Sequence, residues 1–219
     1  LHVLNPCNNG AALGVTTDID GDTRSTTAPD MGADEIPAYS YDAAVIAIRT
    51  PTGTVVTGGT PYAVKITVRN NGSTTITSLV ANYSINGTPT TETFTTSSGL
   101  PAGGLLSCDT IQLTFTSSAV FGSGGPSFFK AYTGAVNGSA DQFNLNDTLS
   151  KLFCTPFSGS FTINSLAPAS NTNFQSFTAA VNAVYGCGIT GPVVFRVVPG
   201  SGPYNEQITL TNNIPGASA

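Results

Sequence analysis

The chain has 219 residues, among them 24 Gly, 14 Pro and 32 Thr, and seven Lys plus Arg against twelve Asp plus Glu give a net charge of −5. That balance excludes a nucleic-acid backbone as ligand, because no Lys/Arg stripe offsets the repulsion, and it excludes an electrostatic membrane anchor. No apolar run reaches the roughly 18 residues of a spanning helix, and Thr-rich sequence punctuated by Gly and Pro reads as all-β with many short strands.

In chain order, residues 1–40 are loop-rich and hold half of the acidic residues: Asp18, Asp20, Asp22, Asp30, Asp34 and Glu35. Alternation then becomes regular. Asp42 to Arg49 reads as a first strand closed by Thr50-Pro51, and Tyr62 to Arg69 places Tyr62, Val64, Ile66 and Val68 on one face, the period-two signature of a sheet with one wet side. Asn70-Asn-Gly72 and Asn86-Gly87 are turn signals around a strand over Ile76–Ile85. Glu92–Thr95, Leu106–Phe115, Ser127–Tyr132 and Thr148–Phe153 complete about seven strands, the number of a two-sheet sandwich. Its expected core is Val64, Ile66, Val68, Val80, Tyr83, Leu113, Phe115, Phe129 and Leu149.

Beyond residue 153 the pattern changes. Gly159–Ile163 reads as a short strand, and Asn173–Tyr185 as the one helix, with Phe174, Phe177, Ala180, Val181 and Val184 at three- and four-residue spacing. Ser176 or Asn173 is placed to cap it and Gly186 to stop it. Pro192–Val198 and Glu206–Thr211 follow as strands, a renewed rhythm that fits the start of a stacked β solenoid or a helix over a small mixed sheet. Leu1 lacks initiator or signal character and the last rhythm breaks off at Ala219, so the chain reads as a segment of a longer polypeptide.

Four residue sets invite a chemical reading. Asp18, Asp20 and Asp22 alternate around Gly21, so their carboxylates can converge on Ca²⁺. The closing Glu of a full calcium loop is absent, with Pro29 in its place, and the same residues also fit a turn in which Asp side chains cap backbone amides. Cys7, Cys108, Cys154 and Cys187 contain no C-x-x-C pair, and the single His2 leaves a zinc site without ligands. Their even number and wide spacing suit extracellular disulfides. Three pairings are open; Cys154–Cys187 with Cys7–Cys108 is favoured, and four buried thiols are the alternative. Tyr39, Tyr41, Phe121, Phe157 and Tyr204 fall near element junctions, where core and seam packing usually consume such rings. His2, at a terminus, gives no dependable base for a nucleophilic triad, and the acidic stretch lacks aromatics to stack a sugar, so no catalytic residue is assigned.

Several of these stretches carry family resemblances. Asn5-Pro-Cys-Asn-Asn-Gly10, Thr17-Asp-Ile-Asp-Gly-Asp-Thr-Arg24 and Pro29-Asp-Met-Gly-Ala-Asp-Glu35 together resemble the closing rungs of right-handed parallel β-helix domains in large secreted proteins of the Bacteroidetes type, with Met31 where Ile is more usual. The Asp-Ala-Ala-Val opening at 42–45, Val68-Arg-Asn-Asn-Gly72, Tyr83-Ser-Ile-Asn-Gly87 and Asn146-Asp-Thr-Leu149 make residues 41–153 similar to a CARDB-type immunoglobulin-like adhesion module; Pro101-Ala-Gly-Gly104 lies a few residues earlier than the family's Pro-Gly pair. Phe174–Val184, Gly188–Phe195 and Tyr204–Ile208 resemble the capping helix and first rungs of another β-helix.

The resemblance implies three parts: residues 1–40 as the end of a β-helix, 41–153 as the immunoglobulin-like sandwich, and 154–219 as the cap and first rungs of a second β-helix, with one short capping helix near 174–185. It implies a non-catalytic structural or adhesive spacer of a long extracellular fibre or cell-surface protein, partnered by neighbouring domains, further copies, or a surface glycan or protein ligand. An accessory region of a secreted polysaccharide-active enzyme and a carbohydrate-binding module are the alternatives. No cofactor is implied beyond a structural Ca²⁺. Proteins of this lineage can carry O-linked glycans at Asp-Thr or Asp-Ser followed by an apolar residue, a pattern met at Thr110 and Thr148, for each of which a buried strand hydroxyl is the alternative.

Overall fold

The computed structural model describes residues 7, 10–11, 14–26, 29, 39–210 and 213–217. The expectations on His2, Asp30, Met31, Asp34 and Glu35, and most of the β-helix motif assigned to residues 1–40, lie outside the described residues.

The middle of the chain is a sandwich of two antiparallel sheets. Strands β1 (Ala43–Thr50), β3 (Lys65–Asn70) and β6 (Thr110–Thr114) form the first, in the order β1-β3-β6. Strands β4 (Ser78–Ile85), β5 (Thr88–Thr95), β8 (Gly125–Val136) and β9 (Thr148–Thr155) form the second, in the order β5-β4-β8-β9. A short pair, β2 (Pro61–Tyr62) with β7 (Ala119–Val120), sits beside them. Val45, Ile66, Val68 and Leu113 from one sheet meet Leu79, Ala81, Tyr83, Phe94, Phe129, Ala131 and Phe153 from the other in one buried cluster. Phe129 is at its middle, stacked on Tyr83 at 5.7 Å and edge-on to Phe153 at 5.9 Å. Seven strands in two sheets with one core is the immunoglobulin-like layout the alternation predicts.

The differences from that expectation have local causes. Val80 is only half-buried, because β4 turns Leu79, Ala81 and Tyr83 inward and Val80 has the opposite parity. The strand expected from Tyr62 is split: the Tyr62 ring packs edge-on against Phe121 at 5.8 Å and its hydroxyl accepts from Thr57 N, pinning a turn, so β3 begins only at Lys65. Strand β6 is shorter than Leu106–Phe115 because Leu105 pairs with Ile76 and Cys108 sits at φ 66°, which breaks extended geometry before Thr110. The two-residue Asn86-Gly87 turn, both residues at positive φ, lets β5 start at Thr88, opposite Ile85.

A single residue, Pro156, separates β9 from β10 (Phe157–Ile163). Strand β10 is flanked by β11 (Asn173–Phe174) and β12 (Ile189–Val197), both parallel to it, and helix α1 (Phe177–Cys187) lies against the group. Phe157, Phe161, Val184 and Cys187 are the buried heart of this unit. Asn173 and Phe174, expected in the helix, are strand instead: Asn173 Nδ2 donates to the carbonyls of Asn164 and Pro168 while its Oδ1 accepts from Thr162 Oγ1. Ser176 is the N-cap, accepting from Ala179 N at 3.0 Å, and the helix runs through Gly186 to stop at Gly188, whose φ of 73° suits a residue without Cβ. Among the described residues 201–210 there is no strand; Glu206 there accepts from Phe177 N and Thr178 N at the first turn of α1. No helix among the described residues is long and apolar enough to cross a membrane.

Candidate functional site

The sandwich closes at its N-terminal pole on three carboxylates. Asp42 stands immediately before β1, and Asp141 and Asp147 belong to the loop from β8 to β9, with Asp147 next to the first residue of β9. One carboxylate oxygen from each lies within 4.8 Å of the others. Backbone bonds fix all three. The Asp42 carbonyl accepts from Asn71 N and Gly72 N at 2.8 and 3.0 Å, tying the start of β1 to the turn after β3. Gly72 must be glycine, because a Cβ there would lie 2.6 Å from Ser40 O and 2.9 Å from Asp42 N. The Asp147 carbonyl accepts from Thr133 N, and the Thr133 hydroxyl donates to Ala43 O, so β1 and β8 are stitched across the two sheets.

The loop folds over the start of β1 through its side chains. Gln142 Oε1 accepts from Ser40 N and Tyr41 N at 2.8 and 2.9 Å, and Phe143 stacks on Tyr39 at 5.5 Å. Asp141 accepts from Ala43 N with one oxygen and from Phe143 N with the other. Asn146 Nδ2 donates to both Asp42 oxygens, at 3.0 and 3.3 Å.

Charge is poorly served there. Asp42 is 1% exposed and Asp147 8%. Burial pushes the Asp42 carboxyl up to about 6, against the pull of Asn146 and with a further push from Asp141. Burial first, then the charges of Asp141 and Asp42, push Asp147 up to about 7. Asp141 is also raised by burial, though the amides of Ala43 and Phe143 hold it back. Arg69 gives the weakest of the pulls on Asp42, its Nε being engaged with Asn71 Oδ1. Three like-charged groups in one buried corner either share protons or require a counter-charge. Hard oxygen donors of this kind suit a divalent cation of the Ca²⁺ or Mg²⁺ type.

Reading the sequence did not find this cluster. Asp42 was legible as the start of a strand and Asp147 as part of a strand motif, but 99 residues separate the first from Asp141, and only the packing of β1 on β8 and β9 joins them. The Asp18–Asp22 stretch instead forms a tight turn. Asp18 Oδ1 accepts from Asp20 N and Asp22 N at 3.0 and 2.7 Å, and Asp18 N donates to Asp22 O, while Thr17 and Thr23 bridge. Among the described residues, the three carboxylates brought together are those of Asp42, Asp141 and Asp147.

All four cysteines are joined, as Cys7–Cys108 and Cys154–Cys187, with Cα separations of 5.3 and 5.0 Å in the usual disulfide range. Thr110 and Thr148 are both exposed. The aromatic residues at the junctions are consumed by packing: Phe121 and Phe157 are buried, Tyr39 lies on Phe143, and Tyr204 is edge-on to Phe177 at 5.2 Å. A groove of about 400 Å³ runs along the seam between β8 and the second unit, lined by Phe157, Phe174, Asn173 and Gln175. The amides of Asn173 and Gln175 donate inward, to backbone carbonyls that include Ala167 O, which marks the groove as a packing seam.

No protein-family model matches the chain, and no curated protein matches it. Among solved structures it is similar to the CARDB domain of a protein from Pyrococcus furiosus, in a crystal structure described as a complex with di-metal ions. That match has 18% identity and a TM-score of 0.43, and covers 56% of this chain and all of that one. The solution NMR structure of the same domain matches at 17% identity and a TM-score of 0.39, over 54% of this chain and 97% of the other.

Proposed function

We propose that the chain is a non-catalytic structural or adhesive spacer of a long extracellular fibre or cell-surface protein, with neighbouring domains or further copies of the same protein as its partners. The observation that carries this reading is the junction between the sandwich and the unit that follows. Pro156 alone separates β9 from β10, and the Cys154–Cys187 bond rivets the last sandwich strand to α1. Cys154 is itself held on the sandwich side, donating its N–H to Thr54 O and accepting from Val56 N. Gly124 and Gly125 leave room for the Phe157 ring against the start of β8. Such a joint fixes the orientation of one unit on the next, which is what a spacer needs and a hinged enzyme domain does not.

Three further features support the reading. Two disulfides suit an oxidising compartment outside the cytoplasm. Three parallel strands beneath a capping helix suit the first turn of a β solenoid. Exposed Thr110 and Thr148 are available for O-linked glycans. The test is the denatured, unreduced mass of the protein in its native source, combined with proteolysis of intact cells. A mass many times 22.3 kDa in a surface-accessible chain is expected; a species protected inside the cell refutes the proposal.

A further inference from the structure

We propose that Asp42, Asp141 and Asp147 form a Ca²⁺ site that clasps the β8–β9 loop onto the start of β1. Clustered acidic side chains alone do not make a site. Here a second observation points to a ligand: Asp147, more than nine-tenths buried, carries a buried Oδ1 that makes no hydrogen bond. An orphaned carboxylate oxygen in a buried corner is costly, and a folded protein retains one where something else completes it. Asn146 Oδ1, next in the chain, is likewise buried and unpartnered.

The donor set fits calcium in number and kind. Three carboxylates offer up to six oxygens, near the six to eight that Ca²⁺ takes, and a loop tolerates its irregular geometry better than the strict octahedron of Mg²⁺. The oxygens already engaged do not conflict with a cation. Each Asp141 oxygen accepts one backbone N–H and keeps a second lone pair, and each Asp42 oxygen, though reached by Asn146 Nδ2, likewise has a second lone pair. The site also has a mechanical meaning independent of the spacer reading. Its ligands come from two segments about 100 residues apart in the chain, so an ion there joins the first sheet to the second.

The experiment is calorimetric titration of the full chain with CaCl₂ after chelation, with thermal melts in parallel. Affinities of extracellular calcium modules lie at about 10⁻⁴ to 10⁻³ M. At the tighter end, about 10 mM Ca²⁺ multiplies the folded-to-unfolded ratio by about 100. Asp147→Asn and Asp42→Asn, which keep size and hydrogen-bonding capacity, are expected to melt cooperatively and to lose the calcium response. A variant with Asp18, Asp20 and Asp22 all changed to Asn is expected to keep it. Absence of any calcium response in the unaltered chain overturns the proposal. So does a response that survives in Asp147→Asn, or one that is lost in the triple variant alone. A response to Mg²⁺ stronger than to Ca²⁺ overturns the assignment of the ion.

Discussion

Replacing Cys154 and Cys187 together by Ala opens the rivet between the sandwich and the unit that follows, and its cost can be worked from the chain. The bond closes a loop of 33 residues, and the loop-closure relation assigns about 3.7 kcal/mol of stabilisation to a ring of that size at 25 °C. The second unit has a much smaller core than the sandwich: Phe157, Phe161, Val184 and Cys187 are its buried cluster, with Phe174, Val193 and Phe195 packed against them, and Cys187 itself is removed in the variant. The sandwich, with more than twenty buried hydrophobic residues, is far less dependent on the bond. The variant is therefore expected to unfold in two steps, the unit of β10, β11, α1 and β12 first. With a urea m-value of about 2 kcal/mol/M for that step, its midpoint falls by about 1.5–2 M relative to the oxidised chain. The assay is urea unfolding followed in parallel by far-ultraviolet circular dichroism, which reads α1, and by tyrosine fluorescence, which is weighted to the sandwich. One coincident transition with a midpoint within about 0.3 M of the unaltered chain refutes the reasoning. It would mean that Phe157 and the Gly124–Gly125 contact hold the joint without the sulfurs.

Gly72→Ala is expected to lower the melting temperature by about 3–10 °C, corresponding to about 1–3 kcal/mol of overpacking, because the added Cβ meets the backbone of Ser40 and Asp42, which has no side-chain freedom to yield. The same variant displaces Asp42 and should weaken any calcium response; an unchanged melt refutes the close approach. In chelator, the chain is expected to be more stable at pH 5 than at pH 8. Asp42 and Asp147 have folded-state values raised to about 6 and about 7 from an ordinary 3.8, so the stability they contribute is fully present below 3.8 and is lost as pH rises through 6 to 7. Urea midpoints at the two pH values measure this, and a higher midpoint at pH 8 than at pH 5 in chelator contradicts it. Glu206 acts with the opposite sign and only at lower pH, its carboxylate being favoured first by the Thr178 side chain and then by the Thr178 and Phe177 amides.

The sandwich was legible because its signals are local. Val64, Ile66 and Val68 alternate with polar residues, Asn86-Gly87 announces a tight turn, and each strand can be read within a window of eight residues. Where the window spans two competing signals the reading slips. Asn173 and Phe174 continue the helical spacing of Phe177 and Val181, yet the side-chain amide of Asn173 is worth more bridging three carbonyls than starting a turn. Gly186 stands where a C-terminal glycine cap is expected, one residue after Tyr185, but the residue that takes φ above zero is Gly188, where the chain turns into β12. Cys154 and Cys187 bracket one unit in the sequence, which favours their pairing, and the structure joins them and joins Cys7 to Cys108. The carboxylate corner had no local signal. Asp42 looks like a strand lead-in and Asp141 like a loop residue, and their encounter is a property of the sheet-to-sheet packing.

Taken together, the two disulfides change which parts of the chain a pulling force can reach. A load applied at Cys7 crosses directly to Cys108, and one applied at Cys187 crosses directly to Cys154. The backbone between carries the tension only over residues 108–154, which fully extended span about 160 Å. Strands β1, β3, β4 and β5 lie outside that path, so most of the core, including Ile66, Val68, Leu79 and Phe94, is shielded whatever happens to β6, β8 and β9. Two of the three carboxylates, Asp141 and Asp147, sit on the loaded path, and the third, Asp42, sits on the shielded side. At the N-terminal pole the loaded and shielded halves are joined by the Tyr39–Phe143 ring stack and by hydrogen bonds from Ser40 N and Tyr41 N to Gln142, from Ala43 N to Asp141 and from Asn146 to Asp42, in addition to the β3–β6 and β4–β8 ladders. A cation shared by those carboxylates adds a cross-link between the loaded and shielded parts at a place that neither disulfide reaches, which gives the acidic corner a reason to exist despite the cost of burying it.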